Sequence, residues 1–220
     1  MDIELDEVQQ FWEQHYGRAD RVWSGRANVL LAEVVSELRP GRALDLGCGE
    51  GADAMWLAER GWQVVAVDVS ATALQRAAAD AQERNLLDRI DFQRRDLSVS
   101  FPDGSFDLVS AQYLHSPVRL EREAVLRRAV ESLAPGGVLL IVDHGAIPPW
   151  SPHKDHELPG LDEVLTSLPS EQTGLHRVRA ESVQREAIGP DGQLSILNDN
   201  VIVVRRASSH AASWKISPSA

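Results

Sequence analysis

The stretch from residue 42 to residue 68, RALDLGCGEGADAMWLAERGWQVVAVD, limits what this chain can fold into more than any other part of it. Ala43, Leu44 and Leu46 form a short apolar run, the pattern of a strand buried on both faces as in a parallel sheet. Gly47, Gly49 and Gly51 then alternate through a tight turn, where glycine permits unusual backbone angles and lets a ligand approach the backbone closely. Residues 52–59 read as a helix whose N-terminus offers free N–H groups, and Gly61 suits its stop. Val64, Val65, Ala66 and Val67 make a second strand that ends on Asp68. Asp68 lies 21 residues after Gly47, about the spacing that places an acid on the ribose hydroxyls of a bound nucleotide.

The turn itself reads Asp45-Leu46-Gly47-Cys48-Gly49-Glu50-Gly51, an acid, one residue, then G-x-G-x-G. This resembles the first motif of the class I S-adenosylmethionine (SAM)-dependent methyltransferases. A dinucleotide needs a cradle for its pyrophosphate, which the carboxylate of Asp45 would repel. SAM has no phosphate, and its α-ammonium suits Asp45. Two rivals remain. One is an ordinary nucleotide turn in another Rossmann-like protein, an NAD-dependent oxidoreductase above all. The other is a catalytically silent protein of the SAM-binding fold that serves as a binding or regulatory partner.

With 220 residues, 43% of them apolar, the chain suits one domain of ordinary size. A net charge of −11 disfavours an electrostatic grip on nucleic acid or on an anionic membrane. The single cysteine, Cys48, excludes an intramolecular disulfide, and a reducing cytoplasm is the expected home. The first residues, MDIELDEVQQ, show no apolar core of a signal peptide. No run approaches the length needed to cross a bilayer. The expected partner is a small-molecule acceptor, with no nucleic acid and no membrane, on a monomer or homodimer.

Ahead of the glycine turn, residues 4–16 read as a helix and residues 28–38 as another, with Leu31, Val34, Val35 and Leu38 at amphipathic spacing. Residues 1–40 are therefore expected to form a lid rich in aromatics, with Tyr16 and Trp23 placed near helix breaks to face ligand. Beyond Asp68, Ser70 reads as a helix cap, residues 90–93 as a third strand and residues 105–111 as a fourth. Leu126, Ala129, Val130 and Leu133 mark a helix that Pro135-Gly136-Gly137 ends, before a fifth strand over residues 138–142. Four prolines between His144 and Gly160 forbid regular structure, and a short helix follows over residues 161–168. Residues 182–188 and 194–204, around Gly189-Pro190-Asp191-Gly192, read as a hairpin. The tail from residue 207 is expected to be disordered.

The methyltransferase resemblance spans roughly residues 28–206. It implies an α/β fold, a Rossmann-like doubly wound sheet of seven strands. That sheet is mostly parallel with a C-terminal antiparallel hairpin, and has helices on both faces. The finer pattern FWEQHYGR…WSGRAN ahead of the turn resembles the small bacterial tellurite-resistance and thiopurine S-methyltransferases. The resemblance implies SAM as cofactor, S-adenosylhomocysteine as product, and transfer to a thiol, another soft nucleophile or a hydroxyl. It places Gly47, Cys48, Gly49 and Gly51 against the methionine part, Asp45 toward its ammonium and Asp68 with Val69 at the ribose. Asp96 and Leu97 fall at the adenine and Gln112 beside the methionine moiety. Methyl transfer is mainly a matter of alignment, but a hydroxyl acceptor gains from a general base. His115, after the fourth strand, and His144, after the fifth, are the candidates, both expected to face the transfer cavity. Asp143, His144, His153, Asp155 and His156 also invite a metal reading. A polar loop over the acceptor site is the preferred reading, so no metal is expected.

Overall fold

The computed structural model describes residues 6–151, 158–169, 174–189 and 191–208. Two helices, α1 (Glu7–Tyr16) and α2 (Val29–Ser36), lead into β1 (Arg42–Leu46). There follow α3 (Ala52–Glu59), β2 (Gln63–Asp68), α4 (Ala71–Glu83), β3 (Ile90–Arg94) and β4 (Phe106–Gln112). The chain continues through α5 (Arg122–Glu131), β5 (Leu133–His144), α6 (Leu161–Ser167), β6 (Leu175–Ile188) and β7 (Leu194–Arg206). All seven strands share one sheet in the order β3-β2-β1-β4-β5-β7-β6. The first five of that order run parallel, while β7 is antiparallel to both β5 and β6. The strand order reverses between β1 and β4, which opens a crevice outside their C-terminal ends.

Side-chain alternation divides the core into two layers. On one face Leu31 and Val35 of α2 and Ala54, Met55 and Leu57 of α3 pack with Ala43, Leu108, Leu140 and Val142. On the other, Leu126 and Ala129 of α5 and Val164 of α6 pack with Leu44, Leu46, Val109, Leu139 and Ile141. Helix starts are set by side-chain caps, which satisfy amides that the helix itself leaves free. Asp6 accepts from the Gln9 amide at 2.9 Å, Asn28 from Leu30 at 2.9 Å and Ser70 from Ala73 at 3.1 Å.

Two boundaries depart from the sequence reading. Leu133 belongs to β5, where it pairs with Phe106, and α5 ends at Glu131. Pro135 explains this, because it disfavours helical angles at Ala134 and removes an amide. β6 begins at Leu175, well before residue 182. Its first half, Leu-His-Arg-Val-Arg-Ala-Glu, is a sheet edge with only Leu175 buried, so it lacks the apolar alternation that announces a strand. Pro190 of the hairpin turn and residues 209–220 of the expected disordered tail lie outside the described residues.

Gly51 opens α3 at φ +78°, and a Cβ there would stand 2.8 Å from the Cβ of Ala77 in α4. Gly51→Ala meets both a left-handed backbone and an overpacked helix contact. It is expected to lower stability by roughly 2–4 kcal/mol in chemical denaturation. A loss below about 1 kcal/mol would show that α4 yields and that the contact does not set the turn.

Candidate functional site

The glycine turn is pinned at the C-terminal edge of β1 and β2. The Cys48 amide donates to Val67 O at 2.9 Å and the Gly51 amide to Cys48 O at 2.9 Å. The buried carboxylate of Asp68 accepts from the Gly49 amide through Oδ2 and from the Ser70 amide through Oδ1, each at 2.9 Å. Burial pushes the Asp68 carboxyl above its ordinary value, against the pull of those amide hydrogen bonds. Asp45 is 2% exposed, and its Oδ2 has no hydrogen-bond partner among the described residues. Burial, then the charges of Asp53 and Asp68, raise its pKa well above the ordinary carboxylate range. Burial also pushes Asp53 up to about 6, although its Oδ1 accepts from the Asn28 amide at 2.7 Å. An orphaned buried carboxylate oxygen is costly, and an ammonium group is one partner that would satisfy it. The donor set therefore fits the ammonium of an amino-acid moiety. Burial first, then Asp68 and Asp45, drive the Cys48 thiol well above its usual value, so it is no nucleophile.

The segment between α1 and α2 lies over this turn. At Gly49, where φ is +53°, a Cβ would stand 2.9 Å from the Tyr16 hydroxyl and 3.2 Å from Trp23 Nε1. Trp23 Nε1 donates to the Tyr16 hydroxyl at 3.0 Å. Burial and the nearby Asp68 charge hold the Tyr16 phenol far above its ordinary pKa, so it stays protonated. Glu50, 3% exposed, accepts from the Val22 and Trp23 amides and from Arg76 Nη1 at 2.9 Å. Arg76 Nη2 donates in turn to Tyr16 O at 3.0 Å. Glu13 of α1 accepts from the Thr72 hydroxyl at 2.6 Å and from the Ala71 amide at 2.5 Å. Asn28 Nδ2 donates to Gln112 Oε1 at 2.8 Å, and Gln112 Nε2 donates to the Ser110 hydroxyl at 3.0 Å. Sequence reasoning did not find Glu13, Glu50, Asp53 or Arg76. The only local signal was an acid inside a glycine turn at Glu50, and its partners are 26 to 28 residues away.

Asp45, Gly47, Cys48, Gly49, Gly51, Asp68, Val69 and Gln112 thus meet at one edge, with Tyr16 and Trp23 above them. Asp96 and Leu97 follow β3, one strand beyond β2. Asp96 accepts from the Ser98 amide at 2.8 Å and from Arg119 Nη2 at 2.9 Å. A cavity of about 290 Å³ opens beside it, walled by Asp6 and Gln9 on the α1 side and by Arg94, Arg95 and Val99 on the other. Leu97 is buried in the core below.

The two histidines lie on different faces of the sheet. His115 Nε2 stands 3.2 Å from Asp143 Oδ1 without hydrogen-bond alignment, and Arg122 of α5 holds the other carboxylate oxygen. Asp143 shares its face with Leu139 and Ile141, the α5 side. His144 lies on the face of Gln112, with its Nδ1 3.4 Å from Asp199 Oδ1. Among the described residues no three His, Cys, Asp or Glu side chains are grouped to hold a metal ion. His153, Asp155 and His156 lie outside those residues. No described helix is long and apolar enough to cross a membrane.

A family model described as a methyltransferase domain matches residues 43–137. Over 133 residues the chain is 39% identical to a 2-heptyl-1-hydroxyquinolin-4(1H)-one methyltransferase of Mycobacteroides abscessus, covering 57% of each chain. The match thus spans little more than half the length of that relative. Over 166 residues it is 31% identical to thiocyanate methyltransferase 1 of Arabidopsis thaliana, covering 71% of each. Among solved structures, the N-methyltransferase NodS of Bradyrhizobium japonicum, in complex with S-adenosyl-L-homocysteine, shares the fold at TM-score 0.67 and 20% identity. The likeness covers 91% of this chain and 99% of that one. TehB of Haemophilus influenzae gives a TM-score of 0.66 at 16% identity, covering 90% and 67%.

The acidic cluster predicts a pH signature. A carboxyl whose folded pKa is raised binds more protons folded than unfolded, so its contribution falls as pH rises from 3.8 toward 6. Asp53→Asn keeps an acceptor for the Asn28 amide and removes that charge. At pH 7 the variant is expected to be more stable than the parent by about 1–3 kcal/mol, and the gain should vanish below about pH 4. Denaturation curves at several pH values check this. A gain that persists at pH 3 would trace the effect to something other than charge.

Proposed function

The chain belongs to the class I SAM-dependent methyltransferase family, and from that premise we propose that it methylates a small-molecule acceptor bound outside the ends of β4 and β5. The acceptor is a thiol, another soft nucleophile or a hydroxyl. The observation that carries the proposal is the orphaned, buried oxygen of Asp45 beneath the glycine turn. The relatives named above include enzymes for a hydroxyquinolone and for thiocyanate, and we carry over to this chain only that size class. The net charge of −11 fits a small acceptor better than nucleic acid.

When bound, SAM supplies an electrophilic methyl group on a sulfonium leaving group. The chain's own residues do the rest. Asp45 takes the ammonium, which relieves the repulsion among Asp45, Asp53 and Asp68. Asp68 keeps a lone pair on each oxygen after serving Gly49 and Ser70, and these accept from the ribose hydroxyls. Val69 lies beside that contact. Asp96 accepts from the adenine amine, with Leu97 as the apolar floor. Gln112, oriented by Asn28 and Ser110, borders the methionine moiety. Tyr16 and Trp23 close the site from above and exclude water. Residues 1–40 thus act as a cap on a domain of residues 41–206. Alignment of donor and acceptor can supply about 7–11 kcal/mol of the barrier.

Calorimetric titration tests this directly. SAM and S-adenosylhomocysteine are expected to bind with micromolar Kd, and NAD is not. Asp68→Ala, checked for fold by circular dichroism, is expected to weaken SAM binding roughly tenfold to a hundredfold, the worth of hydrogen bonds to a charged group. A folded variant that binds SAM like the parent would remove Asp68 from the ribose. SAM binding without product formation across thiol and hydroxyl acceptors would favour the silent-fold reading.

A further inference from the structure

The far end of β5 carries a second polar cluster, which the cofactor assignments leave unused. Asp199, on β7, is fully buried. Its Oδ2 accepts from the Tyr113 hydroxyl at 2.8 Å and from Arg185 Nε of β6, and its Oδ1 faces His144 Nδ1 at 3.4 Å. Burial opposes ionisation of Asp199, but hydrogen bonds from His144, Arg185 and Tyr113 outweigh it and hold the carboxyl below its ordinary value. The Tyr113 ring stacks on His144 with centroids 4.2 Å apart. Burial and the Asp199 charge keep the Tyr113 phenol far above its ordinary pKa, so it remains a donor. Tyr113 reaches this position with φ +51°, a left-handed angle rare for a bulky residue.

The contact with Asp199 assigns the roles of the two His144 nitrogens if it is a hydrogen bond to the neutral ring. A carboxylate only accepts, so the nitrogen facing it, Nδ1, carries the proton. Nε2 is left with a lone pair on a side chain that is 27% exposed. The register places His144 at the C-terminal edge of the sheet. Gln112 pairs with Val142, so His144 lies two residues further toward the C-terminal edge, about 6.6 Å on, and on the same face. Gln112 is itself tied to Asn28 of the segment over the glycine turn. His115 lacks this placement, since Asp143 and Arg122 hold it on the α5 side.

The geometry points to His144 as the general base for a phenolic or enolic hydroxyl acceptor, with Asp199 and Tyr113 as positioning residues that fix its ring. This rests on the methyltransferase reading above and narrows its acceptor class. The acceptor's O–H proton passes to His144 Nε2 as the oxygen bonds the methyl carbon. The carbon–sulfur electron pair stays on the departing thioether, and the imidazolium later returns its proton to water. A thiol ionises near pH 8.5 and a phenol near 10, so a base matters far more to the second. A thiol-specific enzyme would have little use for an imidazole oriented by a buried carboxylate.

The test compares 1-naphthol with 1-thionaphthol, one ring bearing oxygen or sulfur, in the full-length protein with SAM. His144→Asn keeps an N–H toward Asp199 but has no Nε2. It is expected to lower kcat/KM for 1-naphthol by about 10²–10⁴-fold, with a loss at least tenfold smaller for 1-thionaphthol and unchanged SAM affinity. Independently of turnover, ¹⁵N NMR of histidine-labelled protein should show His144 in the Nδ1–H tautomer, and Asp199→Asn should shift it toward Nε2–H. If Asp199→Asn does not fold, the wild-type tautomer and the two His144→Asn losses decide. An Nε2–H tautomer in the parent, equal losses on both acceptors, or no transfer to 1-naphthol by protein that binds SAM would each overturn the proposal. Failure of SAM itself to bind would instead sink the methyltransferase reading, and this one with it.

Discussion

The carboxylate of Asp68 holds the organisation of the site together. The turn passes through Gly47, Gly49 and Gly51 at positive φ; backbone carbonyls serve the Cys48 and Gly51 amides, but the buried Gly49 amide needs a side-chain acceptor. Asp68 reaches from the end of β2 to the Gly49 amide and, with its other oxygen, to the Ser70 amide just before α4. One side chain thus fixes the turn after β1 and the entry to α4. The position of α4 sets Ala77 against Gly51 and Arg76 against Glu50. Without that carboxylate the turn, the start of α3 and the cap above them would lose their common reference.

A second constraint is electrostatic. The chain gathers Asp45, Asp53 and Asp68 beneath the turn, where burial and mutual repulsion make full ionisation costly. Glu13 and Glu50 stand at the same edge yet behave oppositely. Burial works against their charge, but amide, hydroxyl and guanidinium donors outweigh it and depress their pKa values. These two acids stitch the cap to the sheet domain, while the other three leave a deficit of positive charge inside. The cap is thus attached by satisfied carboxylates, while beneath the turn one buried oxygen, Asp45 Oδ2, stays without a partner among the described residues.

The sheet also separates two His–Asp pairs that lie next to each other in sequence terms. Asp143 and His144 are adjacent, so alternation along β5 sends them to opposite faces. Asp143 joins Arg122 and His115 against α5, where the guanidinium neutralises it within the core. His144 joins Asp199, contributed by the antiparallel β7, on the face of Gln112. That pairing exists only because β7 inserts between β5 and β6, so the last hairpin both closes the sheet and supplies the acid.

The amino-acid sequence alone determined the class of fold. Apolar runs of strand length, the glycine alternation and the acid at residue 68 are local patterns, each tied to a single element and its period. They place β1, α3 and β2 with their turn, and the Pro-Asp-Gly signal places the hairpin. The weakly patterned first half of β6 escaped because an edge strand buries little. So did the end of α5, where Leu133 continues a helical spacing that Pro135 interrupts. What only the tertiary structure decided is which residues share the site. Glu50 with Arg76, Asn28 with Gln112, Tyr113 with Asp199 and Arg185, and the division of His115 from His144 all join positions remote in the chain. Such pairings follow from strand order and register, and no local period encodes them.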